Sequence, residues 1–395
     1  MLRTGALFHE AIVPSALFVM GLSAGGMFLI DLVWMKVHRR PSTGLAFDCD
    51  DPSWPRTFTK LCGFAGSLAF CALIYWLFPE YHGDFYGRYF EMLDIIMPFW
   101  LVTALPYFYL IDRHMQQPRD GYWHMGMAFA LRWREVDGRV IRQHLLGWLI
   151  KAFFLPLMFT YLCADLEKFL NFSLADLTAP NRLFDFLYGL CYLVDVGFAS
   201  VGYIASLRIA DTHFRSAEPT MLGWVVAMSC YEPFASLVSR QYLAYETGPH
   251  WGDWFSNAPV AFALWGASII VLTAVYAWAT VIFGVRFSNL THRGIVTNGP
   301  YRWTKHPAYL AKNLSWWMIS MPFMAQGSVE ESARLCLLLL LLNGIYMLRA
   351  KTEERHLSRD PDYVAYALYV EQHGRFRFIQ RLLSRQRSGL PKFRR

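Results

Sequence analysis

V-T-N-G-P-Y-R-W-T-K-H-P-A-Y, from Val296 to Tyr309, sits between two apolar runs. One apolar segment ends shortly before it and another begins at once after it. The stretch therefore reads as a polar, glycine- and proline-punctuated loop at a membrane surface. At the far end of the following apolar region comes R-A-K-T-E-E-R, Arg349 to Arg355. The two pieces face each other across one helical hairpin, and together they read as the halves of one site.

Asn298-Gly299-Pro300 is a turn signal, because glycine reaches positive φ freely and proline fixes φ. Such a turn leaves backbone N–H groups free to meet a ligand. His306-Pro307 opens a helix, where proline is tolerated in the first turn. Asparagine, tyrosine, tryptophan and histidine in so short a loop suit a planar base and a cationic centre better than a metal. Arg349 and Glu353 are four apart and share a helix face. An arginine fork can hold a carboxylate in bidentate fashion, and Glu353 can accept from an amine.

V-T-x-G-x-Y-x-W-x-[RK]-H-P-x-Y, then a hydrophobic hairpin, then R-x-[RK]-T-E-E resembles the C-terminal signature of the isoprenylcysteine carboxyl methyltransferases. These belong to a wider group of integral-membrane methyltransferases that includes the phospholipid methyltransferases. The resemblance covers about Arg286 to Gln372, less than a quarter of the chain. It implies S-adenosyl-L-methionine as methyl donor, bound at the cytosolic membrane face, and a lipid-like acceptor that enters from the bilayer. Two positions depart from the pattern. Lys305 stands where arginine is usual, and Ala311-Lys312 where a glycine is usual, which leaves the acceptor open.

Composition agrees with a membrane protein. Of 395 residues, 55% are hydrophobic and only 17% charged, too apolar for an ordinary soluble chain. The expected fold is all-α, a polytopic bundle of about eight or nine transmembrane helices whose C-terminal hairpin forms the cofactor site. Nine apolar spans are expected, at roughly 14–36, 57–79, 91–111, 143–163, 183–206, 221–238, 259–283, 307–325 and 332–350. The first is too long for a signal-peptide core and is read as a helix. The sixth holds Glu232 and Pro233 and can instead be re-entrant. Three regions follow: 1–258, membrane helices of unassigned type that shape an acceptor cavity; 259–375, methyltransferase-like; and 376–395, a basic tail.

Alternate loops concentrate Lys36, Arg39, Arg40, Arg56, the arginines of 113–142, Arg208, Arg215, Arg286, Arg293, Arg302 and Lys305. This is the positive-inside pattern, and it predicts a cytoplasmic site and C-terminus. The net charge of +7 reports those loops rather than nucleic-acid binding. The tail, with Arg375, Arg377, Arg381, Arg385, Arg387, Lys392, Arg394 and Arg395, is expected to meet anionic lipid headgroups. Seven cysteines without C-x-x-C spacing read as free thiols. The histidines show no metal-binding spacing, so metal catalysis is not expected.

The loop from Asp112 to Arg142 carries Tyr122, Trp123, Phe129 and Trp133 among its arginines. It fits a surface helix in the headgroup region, or an ordinary loop with a short helix. Asp195 and Glu232 lie within apolar spans, where an ionisable group must face protein or a cavity. Either could line an acceptor pocket, with Lys151 and His144 beside it, or each could fix helix packing.

For the hairpin site, Thr297, Asn298, Gly299, Tyr301 and Trp303 would cradle the adenosyl part with backbone groups and aromatic faces. An aromatic face would also attract the sulfonium. The resemblance implies that His306, with Pro307 and Tyr309 beside it, touches the cofactor. Glu353 or Glu354 would hold the donor's amino group, and Arg349 would orient an acceptor carboxylate such as a prenylcysteine's. The competing structural readings are an interfacial aromatic belt and a plain i,i+4 ion pair. Two other functions compete: an NADPH-dependent membrane reductase of the sterol type, and a non-enzymatic transporter or scaffold. The first usually has asparagine where Pro307-Ala308 stand and lacks T-E-E. The second would show two similar halves, and none are visible.

Overall fold

The computed structural model describes residues 11–246, 250–324 and 328–375. The architecture is all-α. Its helices are α1 (Ile12–Leu29), α2 (Trp54–Leu77), α3 (Gly87–Asp112), α4 (Gly121–Phe129), α5 (Gly138–Leu170), α6 (Pro180–Ile204), α7 (Met221–Met228), α8 (Pro259–Val281), α9 (Pro307–Ser320), α10 (Val329–Leu357) and α11 (Pro361–His373). Short helical turns lie between them. Strands β1 (Ser216–Ala217) and β2 (Thr291–His292) form one antiparallel pair.

Among the described residues, seven helices are long and apolar enough to cross a membrane: α1 with its π-turn to Trp34, α2, α3 with the turn before it, α5, α6, α8 and α10. Large apolar side chains stand outward on them, among them Trp76, Phe99, Val102 and Leu264. In water such a surface would aggregate; in lipid it is the expected exterior. Multi-pass insertion in the membrane follows from these helices.

Two expected spans take another form. The eighth, α9, has 14 residues, about 21 Å of helix against the ~30 Å of a bilayer core. It stops because Met321 turns left-handed, at φ 40°, and Pro322 follows. The sixth is broken into the eight-residue α7 and a π-helical stretch, Ser236–Tyr242. Between them the Glu232 carboxylate accepts from the Ser236 N–H at 3.1 Å and from its hydroxyl at 2.7 Å, so Glu232 serves as a local cap.

The chain folds into two compact units. The first comprises residues 1–228 and 283–294; the second, 229–282 and 295–395.

In the first unit α5 is the central helix, with Ile150, Phe154, Leu157, Phe159 and Leu162 fully buried. Asp137 caps its start by accepting from the Arg139 N–H at 2.8 Å. α4 is pressed onto α2 rather than laid on a surface, with Trp123, His124, Met125 and Met127 buried and Phe129, its last residue, exposed. Glycine permits this approach. A Cβ on Gly126 would sit 1.9 Å from the Thr59 carbonyl oxygen, and one on Gly63 equally close to that of Tyr122. Asp195 is buried on α6, while His144 hydrogen-bonds the Ser67 hydroxyl at 2.8 Å. Arg293 closes the C-terminal end of α6: its guanidinium donates to the carbonyls of Gly202, Ala205, Thr212 and Phe287 at 2.5–2.9 Å.

The second unit holds the hairpin α9–α10, packed on α8. Its core gathers Tyr245, Leu339, Leu342 and Tyr346, with Trp316 and Trp317 against them. Polar residues pin the hairpin: the Trp317 indole donates to Asn343 Oδ1 at 2.7 Å, and Asn343 donates to Asn313 at 3.0 Å. Half-buried amide pairs of this kind link neighbouring membrane helices. The basic tail, 376–395, lies outside the described residues.

Candidate active site

The loop 295–306 and the last turns of α10 meet at one end of the hairpin. α9 begins with Pro307 in its first turn, where the missing N–H has no intrahelical role. Ser328 caps the start of α10, accepting from the Glu331 N–H at 3.2 Å. α10 then stays helical through Leu357, which carries Arg349, Glu353 and Glu354 onto its final turns.

The Tyr309 hydroxyl donates to Glu353 Oε2 at 2.8 Å. The Tyr309 ring stacks on that of His306, with centroids 5.4 Å apart and planes 9° from parallel. His306 Nε2 lies 3.1 Å from Glu354 Oε1, and Lys305 Nζ 2.9 Å from the same oxygen. Lys305 also reaches Glu371 of α11, at 3.3 Å. These groups are nearly buried, with Lys305 and Glu354 side chains 10% and 14% exposed. An ion pair so placed holds geometry, and losing one partner is costly.

Arg349 is buried among three phenol rings. Its guanidinium carbon is 5.1 Å from the Tyr309 centroid, 5.2 Å from Tyr231 and 6.0 Å from Tyr346. One Nη donates to the Tyr231 hydroxyl at 3.3 Å. Aromatic faces hold a weakly hydrated guanidinium well, and they leave its in-plane donors directed at other partners.

The upstream part of the loop packs elsewhere. Gly299 takes φ 57°, a left-handed conformation that favours glycine, and a Cβ there would make a tight 3.2 Å contact with the Ile282 side chain. The Tyr301 hydroxyl donates to the Ala279 carbonyl at 3.4 Å, and the Tyr301 carbonyl accepts from Tyr366 at 2.8 Å. Burial and the Glu353 and Glu354 carboxylates push the Tyr366 phenol up, which keeps it a donor. Trp303 meets Trp278 edge to face and carries the Arg375 guanidinium at 5.7 Å. Thr297 and Asn298 are exposed.

The sequence-predicted residues thus fall into two groups. His306, Tyr309, Arg349, Glu353 and Glu354 come together, with Pro307 buried beneath them. Gly299, Tyr301 and Trp303 form a flanking wall braced by α8 and α11, and Thr297 and Asn298 stand exposed just before it. Sequence reading missed Tyr231, Tyr346 and Glu371. Tyr346 was legible in principle, three residues before Arg349 on the same helix face. Tyr231, 118 residues away from Arg349, carried no local signal.

Residues 260–359 match the model of the isoprenylcysteine carboxyl methyltransferase (ICMT) family. The matched ICMT region contains α8, the loop, the hairpin and R-A-K-T-E-E-R. It supports a membrane methyltransferase in general. Neither a curated protein nor a solved structure matches the chain. Among the described residues, no group of three His, Cys, Asp or Glu is placed to hold a metal ion.

Proposed function

We propose that the protein transfers a methyl group from S-adenosyl-L-methionine to a lipid-like acceptor held in the membrane. One observation carries the reading: within the ICMT region, two carboxylates, a histidine–tyrosine stack and a ring-caged arginine meet at one end of the hairpin. This donor set fits the cofactor's chemistry. An amino-acid ammonium needs a carboxylate, and a sulfonium is attracted by aromatic faces.

When bound, S-adenosyl-L-methionine supplies an already activated methyl group. The chain's own task is then to position two reactants and exclude water. Glu353, held by the Tyr309 hydroxyl, presents a carboxylate to the amino group. Glu354 already binds Lys305 and His306, so its role is to orient His306 toward the cofactor. Thr297 to Trp303 offer backbone groups and ring faces to the adenosyl part. Arg349 orients the acceptor. A prenylcysteine-type carboxylate is ionised at pH 7 and needs no general base, whereas an amine would draw on Glu353 or His306. We read the site as cytoplasmic from the arginine pattern, with the tail beyond Arg375 on anionic lipid.

Purified protein should bind S-adenosyl-L-methionine in the micromolar range, roughly −8 kcal/mol. Membranes incubated with the methyl-labelled compound should yield a labelled lipid or lipidated product identifiable by mass. Arg349→Lys should leave donor binding within about twofold and depress turnover, since lysine cannot reproduce the fork. Binding of NADPH with no binding of the methyl donor would overturn the assignment in favour of a reductase.

A further inference from the structure

The first unit encloses a cavity of about 480 Å³ between α2, α3, α5 and α6. That is within the size range of small-molecule sites. Its walls are mostly apolar, with Phe64, Leu68, Met97, Trp100, Phe108 and Leu155 among them. Phe99 belongs both to the cavity wall and to the outer surface, at 68% exposure, so the cavity reaches the lipid-facing side.

The charges in its lining are unevenly satisfied. Three cations, Lys60, Lys151 and Arg208, face two carboxylates, Asp112 and Asp120. Both carboxylates are engaged by Lys60, at 2.7 and 3.6 Å, and Arg56 takes Asp112 as well, at 2.6 Å. Among the described residues the Arg208 guanidinium meets no carboxylate; it donates to the Thr43 carbonyl at 2.9 Å and lies 3.4 Å from the His213 ring nitrogen. Burial, then Arg208, Arg215 and Arg293, pull His213 down to about 3, so its ring is neutral at pH 7.

Lys151 is the extreme case. It sits about 20 Å along α5 from the start of that helix. Among the described residues its ammonium has no hydrogen-bond or carboxylate partner. It lies over the rings of Trp148, at 5.1 Å, and Phe214, at 5.6 Å. Arg293 stands 5.1 Å from the same Phe214 ring, which sets Lys151 beside the loop that carries His213. An ammonium inside a bilayer is costly unless an anion meets it.

We propose that this cavity binds a membrane amphiphile with an acidic head group, carboxylate or phosphate, on a hydrocarbon chain. The head is drawn to Lys151 and Arg208, and the chain lies along the aromatic wall toward Phe99. Neutral and cationic amphiphiles are disfavoured, because they would leave the ammonium unmatched. The inference rests on the first unit alone and stands if the methyl-transfer reading fails.

The test is equilibrium binding to the full chain in detergent, without methyl donor, using oleate, oleoyl lysophosphatidate and oleyl alcohol. Oleate or the lysophosphatidate should bind at least tenfold more tightly than the alcohol, and which of the two binds better identifies the head group. Lys151→Met should remove that preference while Lys151→Arg keeps it. Without ligand, Lys151→Met should melt at a higher temperature than the wild type, because it deletes an unmatched charge. Ala104→Trp, which fills the cavity, should abolish binding of all three probes. The proposal is overturned if the alcohol binds as well as the acids, if Lys151→Met binds oleate within twofold of wild type, or if Ala104→Trp leaves oleate binding intact.

Discussion

The end of the hairpin and the cavity of the first unit treat charge in opposite ways. At the hairpin each charged side chain already answers another group of the protein: Glu354 holds Lys305 and His306, Glu353 holds Tyr309, and three rings surround Arg349. In the cavity two carboxylates are taken up by Lys60, and Lys151 meets only ring faces among the described residues. A ligand at the hairpin must therefore exchange existing bonds for new ones. A ligand in the cavity only adds them. The first arrangement favours selectivity through geometry; the second favours selection by charge.

Mutations can break or sharpen that contrast. The largest effect is expected at Glu354. Glu354→Ala takes the carboxylate from His306 and leaves Lys305 with Glu371 alone in a nearly buried setting, at a cost of about 3 kcal/mol. Thermal unfolding reads it, and a loss below about 1 kcal/mol would mean that the cluster is solvated. Next, Glu353→Gln keeps an acceptor for Tyr309 but removes the charge. Donor affinity should fall by about 1.5–3 kcal/mol, ten- to hundredfold, with stability nearly unchanged. Equal affinity by titration calorimetry would take Glu353 out of the cofactor site. Gly126→Ala drives a methyl group into the Thr59 carbonyl and should destabilise by about 1–3 kcal/mol or more. A neutral result would contradict the close approach of α4 to α2.

The last effect concerns pH and is smallest near neutrality. His213 is held well below its ordinary value, so the folded state keeps it neutral while the unfolded chain takes up a proton below about 6.5. The unfolded state then binds more protons, and stability falls as pH drops from about 6.5 toward 3. The slope is at most about 1.4 kcal/mol per pH unit. Melting curves of His213→Gln should be flatter over that window; identical curves would show that His213 is not the group responsible.

Much of this was legible in the sequence because hydrophobic length and helical spacing are local properties. Seven apolar runs became spanning helices, and the four-residue step from Arg349 to Glu353 brought both to the hairpin end. The shortness of α9 was legible only in part: Pro322 is a stop signal that the apolar length overrode, while the left-handed turn at Met321 is announced by no residue type. Nor was the burial of α4. Its aromatic residues suggested an interface, and the decisive residues were glycines whose partners lie on another helix. Tyr231, Glu371 and the Lys60–Asp112 pair are brought in by long-range packing, which a single sequence does not encode in any window.

Arg293 has a consequence for how the chain is made. Three of the four carbonyls it satisfies belong to the end of α6 and the loop after it, yet the arginine itself is translated only after residues 229–282, which belong to the other unit. At about 5–20 residues per second, ribosomes need on the order of ten seconds to pass from the end of α7 to this residue. Through that interval the C-terminal end of α6 lacks this clasp, so the first unit is completed only after part of the second has been made.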